Sequence, residues 1–126
     1  AGRKTNNKME KFVFKKFLDF IKSNNKKIKS LKILVIGLTY KYGVSDMRNS
    51  LNLKIYNKIK TIVKEAYAYD PFSAEQISIT NKDLSNFTKF DVVLFLTNGL
   101  IFKKIHKKIK SKKPLIILDP FNYYNN

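Results

Sequence analysis

Residues 32–50 read KILVIGLTYKYGVSDMRNS, and the reading of this stretch decides the fold. Its first half is a near-continuous apolar run rich in β-branched residues. Such a run is the pattern of a strand buried on both faces, as in a parallel sheet. Gly37 lets the chain turn sharply out of that strand. The second half carries Tyr40, Lys41, Asp46 and Arg48, and then Asn49 or Ser50 can cap a helix. That helix is supplied by NSLNLKIYNKIKTIVK, which puts Leu51, Ile55, Ile59, Ile62 and Val63 on one face.

Working outward, EAYAYD at 65–70 reads as a second short strand, closed by Pro71. A third apolar strand lies at Val92 to Leu96. LIFKKIHKKIK at 100–110 is an amphipathic helix with Ile101, Phe102, Ile105 and Ile109 inward, and PLIILD at 114–119 is a last strand. Upstream, MEKFVFKKFLDFIK at 9–22 is helical. Met9, Val13, Phe17 and Ile21 recur every four residues, with Phe12, Phe14 and Leu18 beside them. So broad an apolar face is expected to dock on the domain or on another subunit. SNNKKIKS at 23–30 is a polar connector. The order is helix, then strand–helix–strand–(helix)–strand–helix–strand. It predicts an α/β fold, a Rossmann-like parallel sheet flanked by helices and preceded by one N-terminal helix. The expected division is residues 1–28 as the end of a linker helix and 29–126 as the α/β domain.

The chain has 126 residues, the size of one domain, and 44% of them are hydrophobic, enough for a core. No apolar run approaches the ~18 residues of a membrane span, and the first residues lack the apolar stretch of a secretory signal. Cysteine is absent, which removes disulfides, thiolate metal sites and a cysteine nucleophile from these residues. A cytoplasmic setting is the default expectation. Position 1 is not Met, so a fragment of a longer protein is expected. The net charge is +17, with 26 Lys and Arg against nine acids. Such a charge attracts nucleic acid or an anionic membrane. The lysines are scattered, however, alongside abundant Asn, Ile, Phe and Tyr, as a compositional bias would leave them. Against that background only Arg3 and Arg48 are arginines. A guanidinium fork grips phosphate or carboxylate as an ammonium cannot.

In an open parallel sheet, ligands gather at the carboxyl ends of the strands. The loops there are 37–50, 69–73, 97–100 and 119–122. In the first, Tyr40 offers a flat face and a hydroxyl. Lys41 and Arg48 bring two cations toward a helix N-terminus with orphan amides, which suits a phosphate or diphosphate. Asp46 orients Arg48 or caps the helix. The alternative is a solvated loop ahead of a capped helix. Gly37 and Gly43 make neither a dinucleotide fingerprint nor a Walker A loop.

The same stretch resembles the start of the C-terminal domain of the UDP-glucose/GDP-mannose dehydrogenase family, whose pattern is roughly G-L/F-x-Y/F-K-x-x-x-x-D-x-R-x-S. Gly37, Tyr40, Lys41, Asp46, Arg48 and Ser50 match in register. GRKTNNKMEKFV resembles the family's A-R-x-I-N-D-x-M-P-x-x-V through Arg3, Asn6, Met9 and Val13, with Asn7 and Glu10 departing. AYDPF is similar to its Y-D-P strand end and FDVVLFLTN to its D-A-V-V strand. The resemblance implies an enzyme that oxidises the C6 hydroxyl of a nucleotide sugar to a carboxylate in two hydride transfers to NAD. UDP-glucose 6-dehydrogenases are the type, and surface-polysaccharide precursors are the product. It implies that Tyr40 and Lys41 bind substrate and that Arg48 reaches the cofactor. NAD would be held mainly by an N-terminal domain, and the covalent chemistry by a cysteine of a middle segment. The complete enzyme would be a cytoplasmic homodimer. This chain alone holds no catalytic residue and is expected to be inactive. Phe121 stands where many members carry a cation that contacts substrate, so a neighbouring lysine is expected to replace that contact, or it is lost.

Two other readings stay open: a basic nucleic-acid-binding module, or a degenerate remnant without a ligand. Seven lysines fall between Lys103 and Lys113, but no aromatic residues interleave with them as stacking platforms. His106 lies among these lysines, which would depress its pKa and repel a metal, and no metal site is expected. Asp70, Asp91 and Asp119 sit at strand ends, and Asp119 is placed to face the ligand cleft. Tyr123 and Tyr124 close the chain and are expected to fray.

Overall fold

The structure is a computed structural model that describes residues 2–38, 51–70, 89–110 and 116–124. The elements are α1 (Gly2–Ser23), a single 3-10 turn (Ile28–Ser30), β1 (Lys32–Ile36), α2 (Leu51–Lys60), β2 (Glu65–Tyr69), β3 (Val92–Phe95), α3 (Leu100–Lys110) and β4 (Ile116–Leu118). The bracketed helix of the expected order falls in 71–88, outside the described residues.

The four strands form one parallel sheet in the order β2-β1-β3-β4. β1 runs in register from Lys32 opposite Glu65 to Ile36 opposite Tyr69, and on its other side from Ile33 opposite Val92 to Ile36 opposite Phe95. Its residues 33–36 are all fully buried. Alternate side chains of a strand point to opposite faces, so β1 feeds two cores. Ile33 and Val35 meet Ile55 and Ile59 of α2 and Val13, Phe17 and Ile21 of α1. Leu34 and Ile36 meet Phe102 and Ile109 of α3. Both faces are therefore covered, as a parallel sheet requires.

The expected periodicities map onto these contacts. Phe102 and Ile109 are buried and Ile101 and Ile105 half-buried, while Lys103, Lys104, Lys107, Lys108 and Lys110 are exposed. On α1 the docked stripe is narrower than expected. Phe12 and Leu18 stay 45% and 38% exposed, because Val13, Phe17 and Ile21 already fill the contact with α2 and the sheet. α1 also begins earlier than position 9, since periodicity marks only the turns that dock and is silent over polar ones. Its end is local chemistry: Asn25 adopts φ 56, and the Asn24 side-chain amide donates to Phe20 O at 2.8 Å. Among the described residues, no helix is long and apolar enough to cross a membrane.

Candidate functional site

β1 and β3 are neighbours, yet the chain leaving β1 passes through α2 to β2 on the opposite side. The carboxyl ends of β1 and β3 therefore flank the switch point, where open α/β sheets form a crevice. Gly37 occupies it with φ 93, a conformation that side-chain-bearing residues rarely adopt. A Cβ there would overlap Cγ2 and Cβ of Thr97, so only a hydrogen fits between the two strand ends. The Gly37 amide donates to Tyr69 O at 2.9 Å, and Leu96 N donates to Ile36 O at 2.9 Å. Asp70, fully buried, accepts from the Leu38 amide at 3.0 Å. On the far side, the buried Asn52 amide donates to Leu96 O at 3.0 Å, tying the first turn of α2 to the end of β3. The segment 39–50 is thus covalently joined at both ends to residues fixed at this edge. Tyr40, Lys41, Asp46, Arg48 and Ser50 themselves lie outside the described residues.

The three strand-end aspartates hold backbone. Asp70 fixes Leu38. Asp91 lies at the amino edge, where its Oδ2 accepts from Lys32 N at 2.8 Å. Asp119 accepts from the amides of Tyr123 at 3.0 Å and Tyr124 at 2.6 Å. The turn it closes is completed by Asn122, with φ 59 and its amide on Asp119 O at 3.0 Å. Asp, Pro and Asn at 119, 120 and 122 are turn residues with a physical reason for being there, and that signal was present in the sequence.

The turn overturns the expectation of frayed terminal tyrosines. Tyr123 is exposed, but Tyr124 is 7% exposed. The Tyr124 ring lies 5.4 Å from Phe95 and stacks on His106 at 5.5 Å and 27°. Its hydroxyl donates to Thr97 O. Burial pushes the phenol well above its usual pKa, Asp119 adds to this, and a hydrogen bond from the Gly99 amide opposes it. His106 is half-buried, edge-on to Phe95 at 5.3 Å. Its pKa is lowered first by burial, with Asp119 opposing and Lys110 a lesser contributor, so the lysines are not the main cause as expected. Among the described residues, no group of three His, Cys, Asp or Glu side chains could hold a metal.

Phe121 is half-buried against the core shared by α1 and α2. Two lysines stand near this terminal turn. Lys16 Nζ donates to Pro120 O at 3.3 Å. Lys110 lines an open pocket of about 460 Å³ with His106, Asp119, Asn122 and Tyr124.

The fold has counterparts. The sequence model of the UDP-glucose/GDP-mannose dehydrogenase family, UDP binding domain, matches residues 34–126. A UDP-N-acetyl-D-mannosamine dehydrogenase of Pyrococcus horikoshii is 31% identical over 124 residues, which cover 96% of this chain and 29% of that protein. The solved structure of the UDP-D-ManNAc dehydrogenase of Pyrococcus horikoshii matches with a TM-score of 0.74 at 29% identity, over 93% of this chain and 28% of that one. The UDP-N-acetyl-mannosamine dehydrogenase of Staphylococcus aureus matches with a TM-score of 0.69 at 26% identity, over 98% of this chain and 33% of that one. This chain therefore spans about a third or less of the length of these relatives. It belongs to the UDP-glucose/GDP-mannose dehydrogenase family and corresponds to its C-terminal domain.

Proposed function

We propose that this chain is the nucleotide-sugar-binding part of an NAD-dependent dehydrogenase that oxidises the C6 hydroxyl of a UDP-sugar. The reading is carried by one observation: the family match over residues 34–126 includes segment 39–50, whose flanking residues Leu38 and Asn52 are tied at the sheet's switch point. In this reading Tyr40 stacks on or hydrogen-bonds the nucleotide end of the sugar, and Lys41 neutralises its diphosphate. Arg48 supplies a bidentate contact toward the cofactor. Residues 1–28 form the end of the linker helix and 29–126 the binding domain. NAD and the nucleophilic cysteine belong to further domains of a complete, cytoplasmic, homodimeric enzyme. The names of the relatives favour UDP-N-acetylmannosamine as the sugar, ahead of UDP-glucose.

The test is titration of UDP, UDP-N-acetylmannosamine and UDP-glucose into the isotope-labelled chain. Saturable amide shifts at Gly37, Leu38 and Lys41 are expected, with Lys41→Ala weakening binding about tenfold or more. The chain by itself should form no NADH, whereas a complete enzyme should form two per sugar. Absence of any nucleotide binding at millimolar concentration defeats the proposal. Tight binding of oligonucleotides that collapses with added salt, in place of UDP binding, turns the reading toward the basic module.

A further inference from the structure

The hydroxyl of Tyr124 acts on the same strand end that faces Gly37. It donates to Thr97 O, just past the end of β3. The Thr97 side chain, 5% exposed, occupies the space against Gly37 where a Cβ would have to go. Position 97 therefore has its carbonyl held by the terminal turn and its γ-methyl pressed on the switch-point glycine. Asp119 in turn holds Tyr124, through the Tyr124 amide at 2.6 Å, and Phe95 and His106 hold the ring. A buried carbonyl fixed by a buried hydroxyl cannot shift without leaving a polar group unpaired.

We propose that Tyr124 is a positioning residue for the proposed nucleotide-sugar site: through Thr97 it sets the Gly37 turn, directly ahead in sequence of the segment that carries Tyr40 and Lys41. The inference rests on the proposed function for its ligand, but the coupling of Tyr124 to Gly37 stands apart from that ligand. Binding geometry is sensitive to small displacements of the backbone that presents the contacts. Loss of the hydroxyl therefore weakens nucleotide binding although no atom of Tyr124 need touch the nucleotide.

The experiment compares Tyr124→Phe with the parent chain and with Tyr67→Phe, at a temperature where all are folded by circular dichroism. Tyr67 also has a bonded hydroxyl, on Glu65 at 2.7 Å, but belongs to β2 and serves as the control for losing a phenolic hydrogen bond elsewhere. Tyr124→Phe keeps the ring in place. It is expected to move the Gly37 and Leu38 amide resonances and to weaken UDP binding about three- to tenfold. Tyr67→Phe should lower the thermal midpoint while leaving those resonances and the UDP affinity in place. Unchanged Gly37 and Leu38 resonances in Tyr124→Phe overturn the proposal, as does UDP affinity within twofold of the parent. If the parent chain binds no UDP, the proposed function fails, and the resonances alone decide the coupling. Should Tyr124→Phe not fold, Thr97→Ser removes only the methyl that meets Gly37. It must then move the same two resonances, and their constancy overturns the inference.

Discussion

At the scale of single residues, Gly37 carries the tightest constraint. Its φ of 93 is in the region glycine tolerates, and its missing side chain leaves the space that Thr97 fills. Gly37→Ala therefore combines backbone strain with a clash against two strand ends that cannot separate. It should cost about 2–4 kcal/mol, read as a lowered urea midpoint with an unchanged slope. A loss below about 0.5 kcal/mol, the range of ordinary surface substitutions, would mean that the switch point is looser than its geometry. Gly37 was legible in the sequence as the turn out of the first strand. Its partner was not. Nothing in the sequence near Thr97 says that this threonine, and not Asn98 or Gly99, meets Gly37. Likewise a strand-end carboxylate can face a ligand or hold a turn, and the turn that Asp119 holds depends on the amides of Tyr123 and Tyr124 that the folded chain brings to it.

At the scale of elements, periodicity served best where a helix lies on the sheet. Leu51, Ile55 and Ile59 of α2 and Phe102 and Ile109 of α3 were all expected inward and are all buried. Periodicity served less well for α1, whose apolar residues run nearly all round it. Which of them dock is a matter of the surface that α2 and the sheet offer. Phe17 docks fully, at 0% exposed, with its ring 6.3 Å from that of Phe14. Phe17→Ala should destabilise the chain by about 3–5 kcal/mol, the range for emptying a buried aromatic site. Phe12→Ala, at an exposed position where Lys16 lies over the ring at 4.8 Å, should cost well under half as much. Equal losses for the two in a denaturant titration would show that α1 is covered on its outer side as well.

At the scale of the whole molecule, charge is the dominant feature. A net +17 on 126 residues is unevenly met. Among the described residues one ion pair is present, Lys32 with Glu65 at 3.5 Å, and both side chains are exposed. The Glu65 carboxyl is held below its usual pKa first by the Tyr67 hydroxyl, with Lys32 a lesser cause. Lysines on α1 and α3 face solvent, and their mutual repulsion destabilises the compact state. Raising NaCl from about 20 mM to about 300 mM shortens the Debye length from about 20 Å to under about 6 Å. The thermal midpoint should rise by several degrees as this repulsion is screened. A midpoint that falls with salt would mean that attractive pairs outweigh repulsion.

The sequence alone determined the α/β class, the succession of the described strands and helices, and the family, because each of these is written in local periodicity or in short motifs with fixed spacing. Tertiary structure decided which strands became neighbours, and therefore that the end of β1 meets the end of β3. It also turned the last residues inward, bringing Tyr124 onto Thr97 across a separation of 27 positions. The physical reason is range: hydrophobic pattern reports which face of one element is buried, whereas a hydrogen bond or a close contact between distant segments exists only once both are packed on the same sheet.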